Sequence, residues 1–152
     1  MLNVNGSLVY EDYIDLIKKN IISNINISNS QIQPSSIDLS LSEECYEIKA
    51  SFLSPTRNVR ENLNKLKIKQ INLSKKYLFK KNRTYLVRLN EKLNLPSNIY
   101  GLCNPKSSTG RLDIFCRVIL DKTDEYEKIP LNFEGEMFIE ITSRSFDIEF
   151  QK

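Results

Sequence analysis

From Gln33-Pro34 onward the chain is written in short runs whose apolar residues recur at every second position. Ile37, Leu39 and Leu41 alternate with Asp38 and Ser40, and Tyr46 and Ile48 alternate with Glu47 and Lys49. Successive side chains of a strand point to opposite faces, so this period describes half-buried strands and does not suit a helix. The same reading takes in Thr84 to Leu89, Ile99 to Cys103, Ile114 to Leu120, Glu136 to Thr142 and Phe146 to Phe150. Phe52 to Leu66, with Pro55 in it, reads as irregular, and Leu93 to Asn98 reads as a turn around Pro96. Many short strands at roughly even spacing predict an all-β barrel or sandwich. The 152 residues contain no internal repeat and no linker, so a single domain over 1–152 is expected.

One helix is expected before the strands, near residues 10 to 20. Tyr10, Tyr13, Ile14, Ile17 and Ile21 recur at helical spacing, with Glu11 and Asp12 early and Lys18 and Lys19 late, as the helix dipole favours. Asn20 to Asn29 is an Asn- and Ser-rich connection. Lys75, Lys76, Lys80, Lys81 and Arg83, broken by Tyr77 and Phe79, read as a solvated strand edge whose lysines discourage edge-to-edge association.

Composition narrows the chemistry. The chain has no histidine, which removes His-dependent serine and cysteine triads and most zinc sites. Cys45, Cys103 and Cys116 are odd in number and far apart, which reads as reduced thiols in a reducing compartment. A formal net charge of +3 is too small to argue for nucleic acid. No apolar run is long enough to span a bilayer, and a cytoplasmic domain is expected. Chemistry is left to carboxylates, hydroxyls, Arg, Lys and the backbone.

Two segments carry such groups. Asn104-Pro105-Lys106-Ser107-Ser108-Thr109-Gly110-Arg111 places two cations, three hydroxyls and a glycine directly after a strand. Read as a polar turn it is unremarkable; read as a donor cluster it suits phosphate oxygens, with Lys as a point charge and Arg as a fork. It is not a Walker A loop. In Phe133 to Ile141, alternation puts Met137, Ile139 and Ile141 on one face and Glu136, Phe138 and Glu140 on the other. Glu140 is then either a solvent-facing acid or a partly desolvated carboxylate suited to acid–base work.

Together these stretches resemble the dCTP deaminase family, of the dUTPase-like all-β fold. Gln33-Pro34-Ser35-Ser36-Ile37-Asp38-Leu39-Ser40-Leu41 is similar to the family's early Q-P-x-S-x-D-L-x-L signature. Asn104 to Arg111 resembles its phosphate-binding K/R-S-S-x-x-R motif, and Phe133 to Ile141 its aromatic-x-G-x₄-E strand. The wording of 50–53 and 104–113 is nearest the long, tandem-domain deaminases of α-proteobacteria. The resemblance implies a distorted β-barrel or jelly roll with one short N-terminal helix. It implies that Lys106, Ser107 and Ser108 hold the triphosphate, that Arg111 sits near the base and the attacking water, and that Glu140 shuttles protons. It implies hydrolysis of dCTP to dUTP and ammonia with no metal at the base, Mg²⁺ arriving with the triphosphate. It also implies a homotrimer or pseudo-trimer of related domains, with neither nucleic acid nor membrane as partner.

Two departures shape the expectation. Pro130 replaces an Asp in the run Ile129 to Gly135, and that Asp activates water in dUTPases, so a plain dUTPase is disfavoured. The sequence ends at Gln151-Lys152, where family members continue, so it reads as the N-terminal half of, or a truncation from, a longer deaminase. The alternatives are a dUTPase or bifunctional deaminase–diphosphatase, and a non-catalytic nucleotide-binding or assembly fragment needing a partner chain.

Overall fold

The computed structural model describes residues 6–24 and 26–151. Three short α-helices and twelve strands follow one another in the described residues. Helix α1 (Tyr10–Lys18) is followed by strands β1 (Ile22–Ser23), β2 (Ile32–Gln33), β3 (Ser36–Ile37) and β4 (Leu41–Ile48). Helix α2 (Val59–Leu66) leads to β5 (Lys67–Asn72), β6 (Tyr77–Phe79), β7 (Thr84–Asn94) and β8 (Gly101–Leu102). Helix α3 (Ser107–Arg111) precedes β9 (Ile114–Leu120), β10 (Lys128–Ile129), β11 (Glu134–Ser143) and β12 (Ile148–Phe150). The described residues are mostly strand, so the fold is all-β as expected.

One six-stranded antiparallel sheet, ordered β5-β4-β7-β11-β9 with β1 on the far end of β7, forms the body. Two-stranded ribbons β2-β3, β8-β10 and β6-β12 fold around it. Both faces of the central strands are covered, which is why β11 is buried at Met137, Phe138, Glu140 and Ile141 alike. One cluster packs Leu89, Leu93, Leu120 and Met137 under α1; a second holds Cys45, Phe79, Tyr85 and Val87. A third, Tyr46, Ile48, Leu86, Ile119 and Phe138, lies under Val59 and Leu63 of α2.

Helix α1 stands where the spacing placed it, but its buried centre is Leu16, with Tyr13 and Ile17 beside it and Tyr10 exposed. Asn20, at φ 54°, ends it, and the Ile21 N–H turns back to the Leu16 carbonyl at 2.9 Å. The stretch read as irregular contains α2, whose first N–H, that of Val59, donates to Asp121 Oδ1 at 2.6 Å. The strand begun at Thr84 runs on to Asn94, so the expected turn is confined to the residues around Pro96. The segment read as a polar turn forms the one-turn helix α3. The lysine-rich stretch is an edge as expected: β6 pairs only with β12, with Lys76 on Glu149 at 2.7 Å and Lys80 on Asp147 at 2.9 Å.

Gly135, the second residue of β11, has φ +153°, a conformation that side-chain-bearing residues rarely adopt, so a glycine is required there by the backbone. None of the helices among the described residues is long and apolar enough to cross a membrane.

Candidate active site

Glu140 lies on β11, paired in register with Leu86 of β7 on one side and Arg117 of β9 on the other. It shares the face of the third cluster, where Phe138 is 1% exposed, and is itself 6% exposed. Its Oε2 is buried without a hydrogen-bond partner. Arg117, directly across from it, is turned onto the Tyr126 ring, its guanidinium carbon 5.0 Å from the ring centre. The Tyr126 hydroxyl is in turn hydrogen-bonded with Ser51 Oγ at 2.9 Å. Among the described residues Glu140 therefore has a large cation within cross-strand reach and no ion pair with it.

The other predicted residues are gathered at the edge of the sheet. Lys106 caps α3, and Ser107 and Ser108 open it with their side chains exposed; Arg111, also exposed, closes it. Lys106 Nζ donates to Asp38 Oδ2 at 2.7 Å. Asp113, at φ 59°, links α3 to β9, and its carbonyl accepts from the Arg144 N–H at 3.1 Å. This places α3 beside the Ile114–Ser143 end of the β9–β11 pair. Glu140 is three residues further along β11, about 10 Å at strand rise.

A cavity of about 380 Å³ opens at this edge, running from Pro105 and Gly110 past Phe115 and Cys116 to Arg117 and Tyr126. It touches the flank of α3 and the residue opposite Glu140. Lys106, Ser107, Ser108, Arg111 and Glu140 do not themselves line it. Lys106, Ser107, Ser108 and Arg111 lie together on α3, and Glu140 lies on β11.

The sequence reading missed Arg117 and Tyr126, and it missed the network that pins α2 over Phe138. Arg60 of α2 binds Glu44 at 2.7 Å and Glu136 at 2.8 Å and stacks over Phe138, while Arg88 joins Glu44 at 3.0 Å. Burial opposes charge on Glu44. Hydrogen bonds from Arg60, Tyr46 and Arg88, with the Arg60 charge, outweigh it and hold the carboxyl down at about 2. A signal for α2 was present, since Val59, Leu63 and Leu66 have helical spacing behind Asn58.

The thiols are unpaired, and burial raises each of them, Cys45 to about 12 and Cys103 and Cys116 to about 11. At neutral pH they are protonated thiols, the poorly nucleophilic form.

The antiparallel sheet with its surrounding ribbons, matched by a solved dCTP deaminase, makes this a protein of the dUTPase-like β class. Within that class the chain belongs to the dCTP deaminase family: the model of the 2'-deoxycytidine 5'-triphosphate deaminase N-terminal domain matches residues 4–152. Among solved structures it is similar to 2'-deoxycytidine 5'-triphosphate deaminase from Agrobacterium tumefaciens, with 35% identity and a TM-score of 0.92. The match covers 96% of this chain and 44% of that one, so the chain spans less than half of that protein's length. No curated protein sequence matches it.

Proposed function

We propose that this chain serves in the hydrolytic deamination of dCTP to dUTP and ammonia, with Glu140 as the proton shuttle. The observation that supports this most is the Glu140 carboxylate, enclosed on the sheet face with one oxygen lacking any donor. A buried acid left unsatisfied costs about 1–3 kcal/mol, a cost that a proton-transfer role accounts for. In this reading Glu140 takes a proton from the water attacking C4 of cytosine. It delivers that proton to the ring nitrogen, then takes the proton of the hydroxyl left on C4 and passes it to the amine. The C4–N bond breaks, C4=O forms, and water and dCTP become dUTP and ammonia.

Lys106, Ser107 and Ser108 hold the triphosphate, the lysine as a charge and the serines as hydroxyl donors. Arg111 works beside the base and the water. Mg²⁺ enters as part of the substrate, bound to the triphosphate oxygens. Pro130, exposed just after β10, brings no carboxylate, which favours deamination over a dUTPase or a bifunctional enzyme. Neither the α3 cations and serines nor Glu140 lines the cavity of about 380 Å³, and in this reading the sites are completed by another copy or a related domain in a trimer or pseudo-trimer. The enzyme so formed is a cytoplasmic one of pyrimidine deoxynucleotide metabolism.

The experiment is ammonia release from dCTP by the purified chain, alone and with a C-terminal half of the long-deaminase type supplied. Release in either assembly supports the reading. Binding of dCTP without release in both would reduce the chain to a nucleotide-binding or assembly unit.

A further inference from the structure

The signature around Asp38 has no task in the mechanism above, yet it is tied to the phosphate edge by a direct contact. Lys106 Nζ donates to Asp38 Oδ2 at 2.7 Å across 68 residues of sequence. The lysine side chain is 68% exposed and that of Asp38 29%. Asp38 is not a loose surface acid. Its N–H donates to the Gln31 carbonyl at 2.8 Å, and Gln31 Nε2 donates back to the Asp38 carbonyl at 2.9 Å. The same Gln31 amide reaches Glu91 Oε1 at 3.0 Å. Two residues past Asp38, the N–H and hydroxyl of Ser40 bind Glu91 at 2.9 and 2.7 Å. Glu91 is 0% exposed. The segment is thus nailed on both sides of Asp38 to one buried carboxylate in β7.

We propose that Asp38 is a positioning residue for Lys106, holding its amine at the edge of α3, and that Glu91 fixes Asp38 in turn. This rests on the reading of Lys106 as a triphosphate ligand. A lysine head on a flexible stem has three donors; one spent on Asp38 leaves two for phosphate, presented in a fixed place. The carboxylate also repels phosphate, so Asp38 helps binding only through geometry. That opposition gives the test its sign.

The test uses the full chain with Asp38→Asn, Asp38→Glu and Lys106→Ala. Trace acetylation read by mass spectrometry reports how free the Lys106 amine is, and calorimetry reports binding of dCTP and of deoxycytidine. Asp38→Asn is expected to raise Lys106 labelling and to weaken dCTP binding, each by about two- to fivefold, the range of an exposed ion pair. Deoxycytidine binding should stay unchanged, and Asp38→Glu should recover most of the loss. Unchanged labelling, or dCTP binding that is unchanged or tighter in Asp38→Asn, overturns the proposal. If Lys106→Ala leaves dCTP binding intact, the phosphate role of Lys106 itself fails. If Lys106→Ala loses dCTP while Asp38→Asn does not, Lys106 keeps its role and Asp38 has none. A chain that binds no dCTP at all overturns both.

Discussion

Glu91 and Glu140 are both buried acids, on neighbouring central strands β7 and β11, and their surroundings are opposite. Glu91 is met by four donors: Asn24 at 3.2 Å, Gln31 at 3.0 Å, and the N–H and hydroxyl of Ser40 at 2.9 and 2.7 Å. Glu140 has an oxygen that meets none. A buried carboxylate surrounded by donors ties chain segments together, and Glu91 joins the connection after α1 to the start of β4. A buried carboxylate with a bare oxygen does no such tying, and that is what supports the proposed proton-transfer role of Glu140. The same residue type is thus a fastener in one place and, as proposed, a reagent in the other.

The comparison breaks most visibly at Glu91. Glu91→Leu removes the acceptor for Asn24, Gln31 and Ser40 together and should cost about 3 kcal/mol or more in urea unfolding. A loss under about 1 kcal/mol would mean that Glu91 is not the fastener described. Next in size is the phosphate edge. Lys106→Ala should weaken dCTP binding roughly tenfold to a hundredfold, the worth of a charge-assisted contact, and leave deoxycytidine binding alone. Equal weakening of both would make α3 a structural turn.

A smaller effect sharpens the account of α2. Arg60 is nearly half exposed, so Arg60→Met should cost only about 1 kcal/mol at neutral pH. Its dependence on pH has a definite sign. Glu44 is held at about 2 in the folded chain, below its ordinary value of 4.5. The stability this supplies is full above 4.5 and disappears as pH falls towards 2. The gap between parent and Arg60→Met should therefore narrow across that window, as chemical unfolding at stepped pH would read. A gap that stays constant would detach Arg60 from Glu44.

Much of the fold was legible because both periods are local properties of the chain. The alternation in Glu136 to Thr142 gave β11 and put Glu140 on the face of Phe138, and α1 was visible from its isoleucines. What escaped depends on partners far away in sequence. Glu91 continues the alternation of Leu89, Leu93 and Leu95, a charge at a core position, but the polar residues between them blur the strand pattern past Leu89. Helix α2 was hidden because only three of its eight residues are apolar, and its anchors, Asp121, Glu44 and Glu136, lie outside it. The bare oxygen of Glu140 was not readable at all, since it is defined by what Arg117 does on the next strand.

The contrast between the two acids is tested most directly at Glu140. Glu140→Gln keeps the shape and removes the proton carrier, and it should be measured in whichever assembly of the parent releases ammonia from dCTP. The account predicts an unfolding midpoint no lower than the parent's, because no donor loses its acceptor. It also predicts dCTP binding intact and ammonia release lower by at least about a hundredfold. Near-normal ammonia release from Glu140→Gln would contradict the account.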